Sequence, residues 1–294
     1  MKEITKAYGL IHIAVILFGF TAILGALISL PSISLVWWRV LIAGIGFTFF
    51  TKGVSFLKEL PRVTIYRFVL IGVIISVHWI AFFGSVKLAG VSVCLVCMAT
   101  SSLFAAIFEP IILKIPFNKL DILLGLLIIP GMILVVNSVD STKYLGIAVG
   151  LFSAVLAGIF SSLNKLYIKQ ASVWQVAWIE MWTIFLVMSI MIIVSYLIGK
   201  GLPMTPRGYD VLYLFILGFV CTTIGHSMSL KALHYISAFA INLVVNLEPV
   251  YGIVLAAVLL RENKQLSSNF YLGSVLIFCT VFLYPFIHNK KMFS

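Results

Sequence analysis

The chain has 294 residues, of which 62% are hydrophobic and 10% are charged, and its formal net charge at pH 7 is +11. A soluble domain has roughly 25% charged residues, so this chain has too few polar side chains to cover its own surface in water. The composition excludes a soluble globular protein and predicts an all-α membrane protein. Apolar stretches of about 18 or more residues recur along the chain, and each is long enough to cross a bilayer as a helix.

The first apolar stretch, 8–30, follows Lys2 and Lys6, as the apolar region of a signal peptide would. It is longer than the roughly 7–15 residues of such a region, and further apolar stretches follow, so we expect it to be a retained first span. The ten predicted spans are 8–30, 33–52, 65–86, 91–113, 120–138, 144–168, 173–198, 210–230, 236–260 and 268–288. The loops between them are short, so the function is expected to lie within the membrane.

The distribution of Lys and Arg predicts the orientation, because positive residues concentrate in cytoplasmic loops. With the N-terminus in the cytoplasm, 13 of these residues, Lys291 among them, fall on the cytoplasmic side, and six, including Lys264, fall on the opposite side. We therefore expect a multi-pass protein of the cell (inner) membrane with both termini in the cytoplasm. This topology explains the net positive charge, so no nucleic-acid partner is predicted.

Ten spans are twice five, and the sequence contains a weak internal repeat. "FFGSVKLAGVSVCLVCMATSSLFAAIFEPIILK" (82–114) aligns with "SLKALHYISAFAINLVVNLEPVYGIVLAAVLLR" (229–261), and 35–44 aligns with 176–185. Because each unit holds an odd number of spans, the second unit must be inverted relative to the first. We predict two inverted five-helix repeats, 1–140 and 141–294, an architecture typical of secondary transporters with a substrate site between the repeats.

Three segments resemble EamA-type members of the drug/metabolite transporter superfamily. They are "WWRVLIAG" (37–44), "HWIAFFGSVKLAGVSV" (78–93) and "KALHYISAFAINLVVNLEPVYGIVLAAVLLRE" (231–262). The resemblance covers both halves of the chain. It implies a ten-helix fold of two inverted five-helix repeats, cytoplasmic termini and a central substrate cavity. It also implies export or exchange of small metabolites, amino acids among them.

Four charged residues lie within predicted spans and away from the span ends: Arg39, Glu109, Glu180 and Glu248. A charged side chain at the centre of a span costs about 2.5–3.5 kcal/mol and normally faces the bundle interior or a watery cavity. Arg39 and Glu180 are repeat counterparts, but inversion places them at different depths, so we interpret them as two separate structural or gating charges. Glu109 lies near Lys114 and is expected to reach toward lipid headgroups.

Glu248 lies near the middle of the ninth predicted span and is followed by Pro249. Proline has no backbone N–H, so the Val245 carbonyl loses its helical partner and becomes available to a ligand, a water or a neighbouring helix. Asn242 and Asn246 share one helix face, whereas Glu248 points nearly opposite to Asn246. These three polar residues either line a substrate cavity or form hydrogen bonds between helices.

His78, Trp79 and His226 occupy nearly equivalent positions in the two repeats. Histidine titrates near neutral pH and can relay a proton, which a proton-coupled exporter would use. The alternative interpretation is a hydrogen bond to a neighbouring helix. Trp79 is a candidate for stacking against a substrate in the cavity.

No motif for ATP use or for catalysis is present. The chain has no GxxxxGK[ST] loop, no HExxH spacing and no GxSxG elbow. Cys94 and Cys97 are interpreted as space-filling thiols within a helix. We predict no cofactor, no metal and no catalytic residue, with a small-molecule substrate and the bilayer as partners. A multidrug or cation efflux pump is the alternative transporter, and an intramembrane enzyme is disfavoured.

Overall fold

The computed structural model describes residues 2–261 and 266–290, and all regular structure in those residues is helical, as predicted. The α-helices in chain order are α1 (Lys2–Leu27), α2 (Ser32–Phe50), α3 (Arg62–Ala89), α4 (Val91–Ala99), α5 (Ser101–Leu113), α6 (Lys119–Leu126), α7 (Ile128–Asn137), α8 (Tyr144–Tyr167), α9 (Val173–Leu197), α10 (Asp210–Phe215), α11 (Gly225–Leu233), α12 (Ala238–Val245), α13 (Glu248–Leu255) and α14 (Ser268–Lys290). Two π-helical segments, Ile216–Ile224 and Ala256–Leu260, continue α10 and α13.

Nine stretches of the described residues are long and apolar enough to cross a membrane. In chain order, spans one to nine are Glu3–Leu27, Ser32–Phe50, Arg62–Ala89, Val91–Leu113, Lys119–Asn137, Ser141–Gln170, Val173–Leu197, Asp210–Leu233 and Ala238–Leu260. They correspond to the first nine predicted spans. The tenth predicted span coincides with α14, where the shorter apolar helix Ser268–Cys279 is found. Ten therefore stays a prediction. Lys264 and Lys291, which entered the charge count, lie outside the described residues.

The helices present apolar side chains outward and turn their charges inward. Phe49 and Leu197 are each 81% exposed, as suits contact with lipid rather than with water. The four charged residues noted within the spans behave oppositely, since none is more than 6% exposed: Arg39, Glu109, Glu180 and Glu248. A few charged side chains are therefore buried in a largely apolar interior, and the surface of the spans is apolar as well.

Glycines allow α8 to lie very close to helices of the first half of the chain. A Cβ atom placed on Gly150 would lie 2.7 Å from Ser85 Oγ of α3. One placed on Gly158 would lie 2.8 Å from the backbone nitrogen of Ala105 in α5. Small residues at such contacts let helix backbones approach closely in membranes. Span six therefore packs directly against spans three and four.

Span nine is interrupted near its middle. Helix α12 ends at Val245 and α13 begins at Glu248, with Pro249 in its first turn. Proline is well tolerated at the start of a helix, where its missing N–H group is not needed. The interruption places the Glu248 carboxylate at a helix N-terminus, which favours negative charge. The local sequence thus provides part of the stabilisation of a charge at membrane depth.

Glu109 does not reach toward headgroups, so that expectation is wrong. Its side chain is buried in α5, where Oε1 accepts a 2.9 Å hydrogen bond from the Ala238 N–H and Oε2 accepts a 2.8 Å bond from the Phe239 N–H. The first N–H groups of a helix have no partner within the helix and carry a positive partial charge. The start of α12 lies beside α5, and it holds the carboxylate inside the bundle.

Candidate functional site

A central cavity lies within the bundle and is lined by residues of spans one to four, six, eight and nine. Its volume is about 130 Å³, counted as space open to the centres of water molecules. This volume accommodates a small solute or a group of waters rather than one isolated water. The predicted site residues that line it are Arg39, His78, Trp79, His226, Asn242 and Glu248.

Arg39 is held at the cavity wall by contacts from two other spans. Its Nε donates a 2.7 Å hydrogen bond to Thr222 Oγ1, and its guanidinium carbon lies 4.0 Å from the centroid of the Trp79 ring. A guanidinium over a tryptophan face is stabilised by the cation–π interaction. Nη1 is buried and has no hydrogen-bond partner among the described residues. The residue therefore combines a fixed position with unused hydrogen-bonding capacity.

Glu248 brings a carboxyl group to the same cavity. It is 6% exposed and lines the cavity wall. It interacts electrostatically with Arg39, but the two side chains form no ion pair within 4.0 Å. The cavity wall thus holds a guanidinium and a carboxyl group that are not in direct contact.

Glu180 and His226 form a second polar pair. His226 Nε2 lies 2.9 Å from Glu180 Oε2, and the side chains are 12% and 0% exposed respectively. His226 lines the cavity whereas Glu180 does not. Glu180 Oε1 is buried without a partner among the described residues. Glu180 and Arg39 are therefore separate charges, and the histidine lies between the Glu180 carboxylate and the cavity.

His78 is fixed by the backbone of span six. Its Nδ1 lies 2.8 Å from the Ser153 carbonyl oxygen, and Ser153 Oγ donates a 3.0 Å bond back to the His78 carbonyl. Nδ1 lies equally close, at 2.8 Å, to Ser153 Oγ. The Phe160 ring lies 5.2 Å from the imidazole. This contact joins spans three and six directly beside the cavity.

The two asparagines of α12 and the break that follows it have different environments. Asn242 lines the cavity, and its Nδ2 donates 2.8 Å bonds to Ser161 Oγ and to the Ala238 carbonyl. Asn246 is fully buried outside the cavity wall and donates a 2.9 Å bond to Ser102 Oγ. Residues two positions apart on a helix differ by about 200°, so Asn246 and Glu248 point to nearly opposite sides.

Two hydroxyl residues that the sequence analysis did not single out support the site. Thr222 positions Arg39, and Ser153 positions His78. Thr222 belongs to the π-helical segment of span eight, and π-helical turns occur often at functional sites. The sequence signal was the pair Thr222-Thr223 within an apolar run. No group of three metal-binding side chains occurs in the part of the chain that the structure describes.

Comparison with known proteins agrees with this architecture. A sequence model of the EamA-like transporter family matches residues 5–137 and 144–285, as two repeats. Several solved structures match, and one of them, a crystal structure, has a TM-score of 0.70 and 12% identity, over 99% of this chain and 98% of its own. At that identity the likeness shows the fold alone. No curated protein sequence matches the chain.

Proposed function

We propose that this chain, which belongs to the EamA-like transporter family of membrane transporters, exports or exchanges small polar metabolites, with amino acids as the first candidates. It works as a secondary transporter in which one group of helices rocks against another. In this proposal the chain has ten spans in two inverted repeats, 1–140 and 141–294. It lies in the cell (inner) membrane with both termini in the cytoplasm.

The observation that carries the proposal is that Arg39 and Glu248 line the same cavity without direct contact between their side chains. Arg39 supplies a positive charge with an N–H donor that has no partner among the described residues, and Glu248 presents its carboxyl group to the same cavity. A buried polar group without a partner costs roughly 1–3 kcal/mol, which a ligand with the complementary group would recover. A zwitterion carries both complementary groups. We therefore assign the substrate carboxylate to Arg39 and the substrate ammonium to Glu248.

The remaining wall suits the rest of such a substrate. Trp79, Phe82 and Phe160 line the cavity together with the polar side chains of Ser161 and Asn242. Small-molecule sites combine mostly apolar and aromatic walls with a few placed polar groups that fix orientation. The polar groups would orient the charged end of the substrate, and the aromatic rings would contact its side chain.

Protons are the coupling ion that we propose. His226 separates the cavity from Glu180, so a proton that reaches the histidine from cavity water can be shared with the buried carboxylate. Across the cavity, the titratable groups on its wall are Arg39, His78 and Glu248. Histidine changes charge near physiological pH, which suits exchange of a proton between the two sides.

A multidrug or cation efflux pump is the second candidate, and Glu248 is the observation that favours it. A buried carboxylate in a cavity with aromatic walls can bind an organic cation. Arg39 in the same cavity acts against this function, because a like charge repels a cation. The two functions therefore differ in whether Arg39 helps or hinders the substrate.

Transport by purified protein in liposomes tests both functions. Wild-type protein is expected to exchange labelled zwitterionic amino acids, and Glu248→Gln is expected to lower the rate at least tenfold, because the ammonium loses its counter-charge. Glu59→Gln, at an exposed residue outside the spans, is the matched control and keeps the wild-type rate. Imposing a pH gradient across the same liposomes tests proton coupling.

The outcomes separate the candidates. Transport of organic cations without amino acids, lost in Glu248→Gln, would favour the efflux pump. Folded protein that moves neither class across a broad panel of metabolites would contradict the proposed function.

A further inference from the structure

Similar polar contacts close the two ends of the helical bundle. The N-terminal face is defined here as the end at which α1 begins. Successive spans alternate in direction, so the turn between α1 and α2 lies at the opposite face, and the turn between α11 and α12 lies at the N-terminal face. Each of these two turns is held by one lysine and one carboxylate.

The turn at the opposite face is held by Lys87 and Asp210. Lys87 Nζ donates to the Ile28 carbonyl at 2.5 Å. The Ser29 N–H donates to Asp210 Oδ1 at 3.0 Å, and Ser29 Oγ donates to Asp210 Oδ2. Asp210 is only 4% exposed. We name this group of contacts the opposite-face clasp.

The turn at the N-terminal face is held by Lys165 and Glu109. Lys165 Nζ donates to the carbonyls of Leu233 and Ile236 at 2.8 and 2.7 Å. Glu109 accepts hydrogen bonds from the first two N–H groups of α12, as described above. We name this group the N-terminal-face clasp.

The two clasps share one chemical design. In each, the lysine binds turn carbonyls in its own half of the chain, and the carboxylate binds turn N–H groups in the other half. Within each clasp, the carboxylate is therefore the contact that joins one half of the chain to the other. Lipid offers no partner for a turn N–H or carbonyl, so a clasp can release only where water replaces it.

The cavity adjoins the N-terminal-face clasp directly. Leu233 and Asn164 line the cavity, Leu233 gives its carbonyl to Lys165, and Asn164 precedes Lys165 in the chain. On the other side, Thr21 at the cavity wall is seven residues from Ile28, or about 10 Å along a helix. Release of either clasp would thus lengthen the cavity toward the corresponding face.

We propose that the two clasps are the alternating gates of the transport cycle. Release of the N-terminal-face clasp opens the cavity to that face while the opposite-face clasp stays closed, and the reverse arrangement opens it to the other face. This inference rests on the alternating-access transport proposed above. It does not depend on which substrate is carried.

Accessibility of the cavity from each side tests this inference. Ser229 lines the cavity, and Ser229→Cys in a protein whose four native cysteines are replaced by alanine gives one reporter thiol. Full-length protein in liposomes is labelled with a membrane-impermeant maleimide from one side or the other. In Glu109→Gln, the amide oxygen can accept only one of the two hydrogen bonds, and the NH₂ group faces the other N–H donor. The clasp is therefore weakened, and labelling from the N-terminal face is expected to rise roughly tenfold.

Asp210→Asn is expected to shift labelling in the other direction, toward the opposite face. Asp140→Asn is the matched control, because Asp140 accepts its hydrogen bond from the Thr142 N–H in its own loop and ties no helices together. If Glu109→Gln does not fold, Lys165→Met removes the lysine of the same clasp and is expected to act in the same direction.

Labelling that neither variant changes, or that both shift toward the same face, overturns the proposal. The assay contains no substrate, so its result is independent of the transport panel. Failure of the panel with opposed labelling shifts would contradict the substrate assignment and leave the gates supported.

Discussion

The site depends on residues whose partners are distant in sequence. Arg39 bonds Thr222 and lies over Trp79, so three spans contribute to the position of one guanidinium. The sequence identified Arg39, Glu180 and Glu248 because charges within apolar spans are costly. It did not identify their partners, because a threonine or a serine within a span costs little and therefore gives a weak signal.

A pair of adjacent threonines tests the support of Arg39. Thr222→Val removes the acceptor of Nε and leaves a second guanidinium nitrogen without a partner, so it is expected to destabilise the protein by roughly 1–3 kcal/mol. Thr223→Val is the control, because the Thr223 hydroxyl donates only to the Gly218 carbonyl of the same span. Thermal unfolding of both purified variants measures the difference. Equal melting temperatures would show that the Thr222 bond does not support Arg39.

The roles of His78 and His226 could not be decided from the sequence. Both were predicted either to relay a proton or to bond a neighbouring helix, and in the structure each lines the cavity and also bonds a neighbouring helix. His78 lines the cavity and bonds the Ser153 carbonyl, and His226 lines the cavity and bonds Glu180. The two interpretations were posed as alternatives, but an imidazole has two nitrogens and can serve both.

At the scale of single helices, nine of the predicted spans agree with the structure to within a few residues, because length and hydrophobicity alone define them. The breaks within spans are harder to predict from the sequence. Pro249 predicted the change in span nine, but the break between α4 and α5 at Thr100 has no proline or glycine beside it. The environment of Glu109 was predicted wrongly because its hydrogen-bond partners in α12 are 129 and 130 residues away in the sequence.

The close approach of α8 gives a prediction at this scale. Gly158→Ala would place a methyl group 2.8 Å from the backbone nitrogen of Ala105, which cannot move aside as a side chain can, so the helices must separate. Gly9→Ala is the control, since a Cβ there meets nothing within 4 Å, and alanine favours the helix by up to about 1 kcal/mol.

The melting temperature of Gly158→Ala is expected to fall by several degrees, and that of Gly9→Ala is expected to stay level or rise. A Gly158→Ala protein as stable as the wild type would mean that spans four and six pack less closely than described.

At the scale of the whole molecule, the family model matches two segments of the chain, 5–137 and 144–285. The cavity takes residues from both segments, with Arg39, His78 and Trp79 from the first and His226, Asn242 and Glu248 from the second. A site shared between two halves can open alternately to the two sides when the halves rock. This arrangement explains why polar side chains are kept in the interior of an otherwise apolar bundle.

A substrate that occupies this cavity would protect a thiol on the cavity wall from chemical labelling. The thiol introduced by Ser229→Cys is labelled with maleimide in the presence of a transported amino acid, or of the same amino acid with its carboxylate converted to an amide. We expect the zwitterion to slow labelling at least tenfold. The amide leaves Arg39 without its counter-charge, so we expect it to leave the labelling rate unchanged. Labelling at the same rate with and without a transported amino acid would contradict the proposal that substrate occupies this cavity.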